Sequence, residues 1–268
     1  SHAAILHAYL WAYLLSEQPG YRTRLMEAVD TLLVGSDLLP AETQGHPGHR
    51  RKVIKIDEFM CHNAEAVATV YDTLFRELSP EQRTRMFRYL KRHLHYYLDR
   101  LDANDWWYRN NPSNTIAVGS GTNGVVALAL RPLVPEAEQA VERAVKTIHE
   151  RYKAMADDGG CVEGNLYWDY GLTYQLLFGH ALKHVTGDAR GLLTENPVMK
   201  THRFVETQLG GDGRYFTFND TQPWLTGLAV CADLGSRLDN PLLRWMADRT
   251  AREAAADTTR VFTRPHFC

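Results

Sequence analysis

The chain has 268 residues, of which 44% are apolar, and its formal net charge at pH 7 is −2. A chain of this size and composition can bury a large hydrophobic core, so we predict a folded globular protein and exclude a disordered one. The near-neutral charge and the absence of long basic runs exclude nucleic acid as the main partner.

The cysteines and the hydropathy pattern exclude further classes. The cysteines are isolated from one another and form no C-x-x-C pair, so they predict small buried side chains rather than a zinc site or a redox motif: Cys61, Cys161, Cys231 and Cys268. We therefore expect no metal and no cofactor. No apolar run approaches the roughly 18 residues that a membrane-spanning helix needs, so no span is predicted.

Helical periodicity dominates from the first residues onward. One apolar stripe is formed by Ile5, Leu6, Tyr9, Leu10, Tyr13 and Leu14, and similar stripes recur to about residue 255. Helix starts are well marked, most clearly in Ser79-Pro80-Glu81-Gln82, where the serine is a helix N-cap and Gln82 closes the capping box. Strand alternation is nearly absent. The sequence therefore predicts an all-α fold.

Turn residues recur at regular intervals and predict a series of helical hairpins. They fall near Gly20, Pro80, Pro135, Asp188 and Asn240, which is a spacing of roughly 50 to 60 residues. Longer loops, at about 36–57, 101–113, 157–165 and 208–221, separate the hairpins. We predict one domain over 1–268, an incomplete (α/α) toroid of about five hairpins with the long loops on one rim. Functional residues are expected in those loops.

One long loop, "NDWWYRNNPSNT", combines aromatic, amide and guanidinium side chains. It places Trp106, Trp107, Arg109, Asn111 and Asn114 directly before a helix rich in small residues. Aromatic rings stack on sugar rings while amides and guanidinium groups bind hydroxyls, so the pattern is typical of a sugar-binding loop. The alternative is that the tryptophans fill the core and the asparagines cap the helix.

The next loop, "DGGCVEGNLYWDYG", leads into a helix dense in aromatic residues. Glu163 lies near the helix start, and Tyr167, Tyr170 and Tyr174 share one helical face. Such a tyrosine stripe can line a groove or belong to the core.

Two further stretches supply candidate binding residues. The loop "GGDGRYFTFND" contributes Arg214 and Tyr215, and the stretch "CHNAEAV" contributes His62. For His62, a plain capping or core role is an equal alternative. Loops of one chemical character at one repeat spacing favour a shared groove.

Several of these stretches resemble a known family. "WWYRNNPSNTIAVGSGTNGVVALAL" and "DGGCVEGNLYWDYGLTYQLLFGHALKHVTGD", with "CHNAEAVATVYDTLFRELSPEQR" and "YFTFND", resemble the helical domain of heparinase II/III-like polysaccharide lyases and their alginate lyase relatives. The resemblance covers most of the chain. This chain departs from the family pattern at two places. Pro112-Ser113 stands where the family usually has Asn-Trp, and Cys161-Val162 stands where the family has Tyr-Pro.

The resemblance implies an enzyme that cleaves an acidic glycan containing uronic acid by β-elimination. It gives Asn114 the role of neutralising the sugar carboxylate and Tyr167 the roles of base and acid, with Arg109, Arg214 or His62 as candidates to stabilise the tyrosinate. The substrate-binding residues would be Trp106, Trp107, Arg109, Asn111, Glu163, Tyr170, His62, Arg214 and Tyr215. It also implies a C-terminal β-sheet domain in the full-length protein, absent from this chain, and a periplasmic or secreted location.

Two other functions are compatible with the same residues. A uronosyl C5-epimerase would remove the same proton and return it to the other face of the sugar. A noncatalytic glycan-binding or biosynthetic protein would use the loops for binding only. The sequence does not name the sugar.

Overall fold

The computed structural model describes residues 2–37, 50–102, 114–156, 158–219, 221, 223–224 and 227–256, with backbone only for 35–37 and 50–59. Helices form most of this part of the chain: α1 (His2–Ser16), α2 (Pro19–Asp37), α3 (Arg50–Thr73), α4 (Pro80–Asp102), α5 (Asn114–Leu130), α6 (Glu136–Ala154), α7 (Asn165–Thr186), α8 (Asn196–Lys200), α9 (His202–Gln208), α10 (Leu228–Arg237) and α11 (Pro241–Ala256). The described residues form no strand, only an isolated antiparallel bridge between Leu209 and Tyr215. The all-α prediction is confirmed; the toroid stays a prediction.

The predicted turns lie where helices of the structure meet. Short connections join α1 to α2, α3 to α4, α5 to α6, and α10 to α11. At the start of α4 the capping box forms as predicted: the backbone N–H of Ser79 donates to Gln82 Oε1 over 2.9 Å, and the backbone N–H of Gln82 donates to Ser79 Oγ over 3.1 Å. These local signals are strong because each cap satisfies backbone groups that the helix cannot satisfy itself.

Two predicted boundaries differ from the structure. The loop expected at 36–57 is too long, because α2 ends at Asp37 and α3 begins at Arg50. After α7 the chain forms the two short helices α8 and α9 instead of one return helix. Helices this short carry a weak periodic signal, so the hydrophobic pattern does not reveal them.

The chain divides into two compact units, and two of the boundaries between them fall within α5 and α6. The first unit contains the described residues of 1–103 and 122–142. In it α1 packs against α2 and α3, and α3 packs against α4, around buried side chains such as Leu6, Leu25 and Leu90. A polar contact joins His7 Nε2 to the buried Glu65 carboxylate at 2.9 Å. The prediction of one domain over 1–268 stays a prediction beside this division.

The second unit contains the described residues of 104–121 and 143–266. Its buried side chains include Trp168 and Phe178 of α7 and Tyr152 of α6, whose hydroxyl donates to the Leu192 carbonyl over 2.8 Å. The Trp168 indole N–H donates to Thr201 Oγ1, and that hydroxyl donates to the Gly159 carbonyl, each over 2.7 Å. This relay ties the loop before α7 to the start of α9.

Helices of the second unit take their N-terminal caps from other segments. The backbone N–H of Asn114, first residue of α5, donates to Glu163, and that of Asn165, first residue of α7, donates to Thr221 Oγ1. The Asp169 carboxyl lies beside Gly227, the residue before α10, since a Cβ on Gly227 would be 3.5 Å from Asp169 Oδ1. Because each cap comes from a distant residue, the caps fix loops and helix ends together.

None of the described helices has the length and apolar character required to cross a membrane. The three cysteines described, Cys61, Cys161 and Cys231, are buried thiols, as predicted.

Candidate functional site

Helix α7 separates its aromatic residues between two faces. Trp168 is enclosed by the protein, whereas Tyr167, Tyr170 and Tyr174 are partly exposed. The rings of Tyr170 and Tyr174 meet edge to face, with 5.7 Å between their centroids. The tryptophan of the motif is therefore a core residue, and the tyrosine stripe retains surface that a ligand can reach.

Two glycines bring α7 against the first turns of α5. A Cβ atom on Gly121 would overlap the backbone carbonyl of Tyr174. A Cβ atom on Gly171 would lie 3.2 Å from the Ala117 Cβ and 3.4 Å from the Asn114 Cα. Tyr167 lies one helical turn before Gly171, so both candidate catalytic residues belong to this contact between the two helices.

Asn114 is held by a single carboxylate. Its backbone N–H donates to Glu163 Oε2 over 2.7 Å, and its side-chain Nδ2 donates to Glu163 Oε1 over 3.2 Å. The negative charge of Glu163 at the start of α5 also interacts favourably with the helix dipole. In these bonds Asn114 is a donor, so Glu163, and not Asn114, caps the helix. Glu163 thus contacts Asn114, another residue of the candidate site. Its role in substrate binding, which the resemblance implies, stays a prediction.

Arg151 is a member of this cluster that the sequence did not single out. Its side chain comes from α6 and is only 3% exposed. Nη1 donates to Gln175 Oε1 over 2.8 Å, and Nη2 lies 3.2 Å from the point that a Cβ on Gly171 would occupy. One signal could have revealed it: Arg151 falls on the buried stripe of α6, three residues after Ile148, where the helical period predicts an apolar side chain.

The charge of the cluster comes from Arg151 and Glu163. Burial lowers the pKa of Arg151, while the nearby Cys161, Tyr152 and Glu163 oppose that shift. Burial raises the pKa of the Cys161 thiol, so Cys161 is neutral at physiological pH. A guanidinium keeps its proton in proteins even when buried, so Arg151 remains a cation.

The loop after α9 exposes one of the two residues predicted from the sequence, Arg214, and buries the other, Tyr215. Tyr215 is 4% exposed and its enclosed hydroxyl has no hydrogen-bond partner among the described residues, whereas the neighbouring Phe216 is 68% exposed. Arg214 is exposed, and its backbone N–H donates to Asp212 Oδ1 over 3.0 Å in a turn. The exposed rings of this loop are Phe216 and Phe218, the latter 41% exposed. The backbone of the buried Tyr215 pairs with Leu209 in an isolated antiparallel bridge.

His62 belongs to the first unit and is 2% exposed. Burial lowers its pKa to about 4, with Glu65 opposing and His7 adding to the shift. His62 is therefore neutral at physiological pH, where it cannot supply a positive charge.

The remaining predicted binding residues, Trp106, Trp107, Arg109 and Asn111, lie outside the described residues. Within the described ranges, no group of three or more His, Cys, Asp or Glu side chains is arranged to hold a metal ion. The cluster that the structure does bring together is Asn114, Glu163, Arg151 and Gly171, one turn from Tyr167.

Comparison with protein-family models and with curated proteins identifies no relative of this chain. No protein-family model matches this chain, and no curated protein matches it significantly. The resemblance to heparinase II/III-like lyases therefore rests on its motifs.

Proposed function

We propose that the protein is a polysaccharide lyase that cleaves a glycan containing uronic acid by β-elimination. Tyr167 takes the proton from C5 of the uronate, the C4–oxygen bond breaks, and a double bond forms between C4 and C5. The oxygen that leaves C4 accepts a proton, which Tyr167 can return. This assignment starts from the resemblance of the motifs around Asn114 and Tyr167.

The observation that carries the proposal is the way Asn114 is held. The C5 proton is weakly acidic while the neighbouring carboxylate is charged, so a lyase needs a fixed donor that stabilises the charge developing on that carboxylate. Two bonds to Glu163 fix the backbone and the amide of Asn114. An amide nitrogen carries two N–H groups, so one remains for a sugar carboxylate after the bond to Glu163.

The position and exposure of Tyr167 also support the proposal. It is partly exposed, one turn from the glycine that packs against Asn114. A base must reach the proton that it removes, which a partly exposed side chain one helical turn from the Gly171–Asn114 contact can do. The phenol must lose its proton to act as base, which the positive charge of Arg151 within the same cluster would favour.

The test is a screen of the full-length protein on a panel of uronate polymers: alginate, polygalacturonate, heparan sulfate, chondroitin sulfate and glucuronan. A lyase produces an unsaturated uronate, detected by its ultraviolet absorbance, and we expect this product from at least one polymer and none with Asn114→Ala. A neutral glucan is the control substrate.

Two other outcomes would replace the proposal. Incorporation of solvent deuterium at C5 without chain cleavage would identify an epimerase, which needs the same two residues. Binding of a uronate polymer that survives Tyr167→Phe, with neither cleavage nor exchange, would identify a noncatalytic glycan-binding protein.

A further inference from the structure

Helix α4 carries a concentration of positive charge that the net charge of the chain conceals. Its stretch from Gln82 to Leu98 contains five Lys or Arg residues and no Asp or Glu, whereas the whole chain has 30 Lys or Arg and 32 Asp or Glu residues. The five are Arg83, Arg85, Arg88, Lys91 and Arg92. A local excess of one sign creates a positive potential even on a protein whose net charge is −2.

The packing of α4 leaves a row of these side chains on its outer surface. The helix packs against α3 and α2, and a stripe of its side chains from Met86 to Leu101 is buried. Arg88, Arg92 and His95 are exposed, and Lys91 is partly exposed. With 3.6 residues per turn, these four positions lie within about 100° of one another around the helix axis. We call these four residues the basic face of α4.

The protein neutralises only part of the charge of α4. Arg85, at the side of the basic face, pairs with Asp30 of α2 over 2.6 Å. Arg88 and Lys91 form no ion pair with any of the described residues. These two cations are therefore available to a ligand of opposite charge.

The spacing and the surroundings of the basic face favour an extended acidic glycan as that ligand. Positions 88, 91 or 92, and 95 follow one another at about one helical turn, roughly 5 Å along the axis, which is comparable to the length of one sugar unit. A polymer with a carboxylate on each sugar can therefore place successive charges beside successive turns. A lipid surface fits less well, because a helix that binds a membrane buries its apolar face in lipid, whereas the apolar stripe of α4 is already covered by the protein.

We propose that the basic face of α4, Arg88, Lys91, Arg92 and His95, is a second binding surface for an acidic glycan, separate from the residues that carry the chemistry. It belongs to the first unit, whereas Asn114 and Tyr167 belong to the second. The choice of a uronate polymer as the ligand rests on the proposed function. The binding surface would raise the local concentration of the polymer and the rate at which it associates.

The test compares the full-length protein with the triple variant Arg88→Gln/Lys91→Gln/Arg92→Gln, which removes three positive charges and keeps good helix formers. Binding of alginate and polygalacturonate is measured at low salt and at about 0.15 M salt, where the screening length is about 8 Å. We expect the variant to bind the polyuronate about tenfold more weakly, or worse, at low salt. Its affinity should also depend less on salt, because fewer counterions are released from the polymer.

The matched control is the triple variant Lys146→Gln/Lys153→Gln/Lys183→Gln. These lysines are exposed on α6 and α7, and their replacement removes the same charge from the protein. The affinity of this control and its salt dependence should stay close to the wild type. Equal weakening in the two triple variants would overturn the proposal, because net charge and not the basic face would then attract the polymer. If circular dichroism shows that the α4 variant does not fold, Arg88→Gln alone takes its place, with a smaller expected loss.

Three further results would overturn the proposal. One is an unchanged affinity in the α4 variant, and another is that the wild-type protein binds neither polyuronate. The third is a DNA duplex that binds more tightly than the polyuronates and loses its affinity in the α4 variant, which would identify a surface for nucleic acid.

Cleavage assays separate this proposal from the proposed function. The α4 variant should raise KM on the polymer and leave kcat unchanged, because the surface contributes binding that is equal in ground state and transition state. If polyuronate binding depends on the basic face but no unsaturated product forms, the lyase assignment fails and the binding surface stands. If product forms and the α4 variant keeps the wild-type KM and affinity, the binding surface fails and the lyase assignment stands.

Discussion

Neighbouring side chains of the Tyr-Trp-Asp-Tyr stretch have different tasks. Trp168 packs inside and its indole N–H donates to Thr201, Asp169 lies beside Gly227 at the start of α10, and Tyr167 and Tyr170 keep part of their surface exposed. A helix rotates its side chains by about 100° per residue, so one short motif can face the core, a helix end and solvent at once. Substitutions at these positions should therefore separate stability from activity.

Tyr167→Phe should preserve the fold and remove activity. Only a hydroxyl is lost from a ring that still packs, whereas a positioned general base contributes about 10²–10⁴-fold to the rate. The measurement is kcat on the polymer that the substrate screen identifies, with thermal unfolding as the stability readout. Tyr170→Phe, on the same face of α7, is the matched control and should be far milder. If Tyr170→Phe abolished turnover while Tyr167→Phe kept it, the base would be the other tyrosine.

Thr201→Val should destabilise the protein by about 1–3 kcal/mol, because the buried Trp168 N–H and Gly159 carbonyl both lose their partner. The shape of the side chain is nearly unchanged, so the loss reports the hydrogen bonds. Urea unfolding measures it. Thr207→Val is the control, since Thr207 is exposed on α9 and such substitutions usually change stability by less than about 0.5 kcal/mol. Equal stabilities of the two variants would show that the relay contributes nothing.

Among the helices, the contact of α5 with α7 sets the geometry of the candidate site. It depends on glycine at two positions, 121 on α5 and 171 on α7, because the helices approach more closely than side chains allow. Both helices begin with caps supplied by other segments, from Glu163 and Thr221. The site is therefore built from the packing of these helices and not from one loop.

Gly121→Ala should cost about 1–3 kcal/mol of stability, the usual range for overpacking, because the new methyl group would overlap the Tyr174 backbone carbonyl and the helices would have to separate. Calorimetric or urea unfolding provides the measurement. Gly20→Ala is the control: a Cβ there meets nothing within 4 Å, and alanine should gain about 0.5 kcal/mol in a helix. A neutral Gly121→Ala would mean that the two helices are not in tight contact.

The sequence predicts helix starts and turns well where they depend on neighbouring residues. It predicts the candidate site only in part. The capping box at Ser79 and the turns between hairpins depend on residues adjacent in the chain. By contrast, the contact of Arg151 with Gln175 and the burial of Tyr215 depend on other segments of the chain. Periodicity places Arg151 on the buried stripe of α6, but it does not reveal which side chains of other helices surround it.

Taken over the whole chain, buried titratable groups set how stability depends on pH. Burial lowers the pKa of His62 and of His93 to about 4, and it raises the pKa of Asp169 to about 6. Burial also lowers the pKa of His7, but the hydrogen bond and the charge of Glu65 outweigh it, so that pKa is raised. A fall in pH therefore lowers stability through His62 and His93 and raises it through His7. A comparison of variants isolates one group at a time.

His93→Gln should make the protein less sensitive to acid. The unperturbed pKa of histidine is 6.5, and that of folded His93 is about 4, because burial lowers this pKa, the charge of Arg92 adds to the lowering, and the opposing effect of the Asn123 side chain is smaller. Between these values the unfolded chain binds a proton that the folded protein does not, so stability falls as pH drops below 6.5. From pH 7 to pH 5 this histidine should cost about 2 kcal/mol. The contributions of His62, His7 and Asp169 are common to both proteins and cancel in the difference.

The measurement is urea unfolding of wild type and His93→Gln at both pH values. The quantity to compare is the free energy of unfolding of His93→Gln minus that of the wild type. This difference should be about 2 kcal/mol more favourable to the variant at pH 5 than at pH 7. His95→Gln, which replaces an exposed histidine on the same helix, is the matched control. A gap for His93→Gln that is the same at both pH values would mean that His93 titrates normally in the folded protein. Its burial within the first unit would then be incomplete, since an enclosed imidazole cannot take up a proton at its ordinary pKa without a compensating charge.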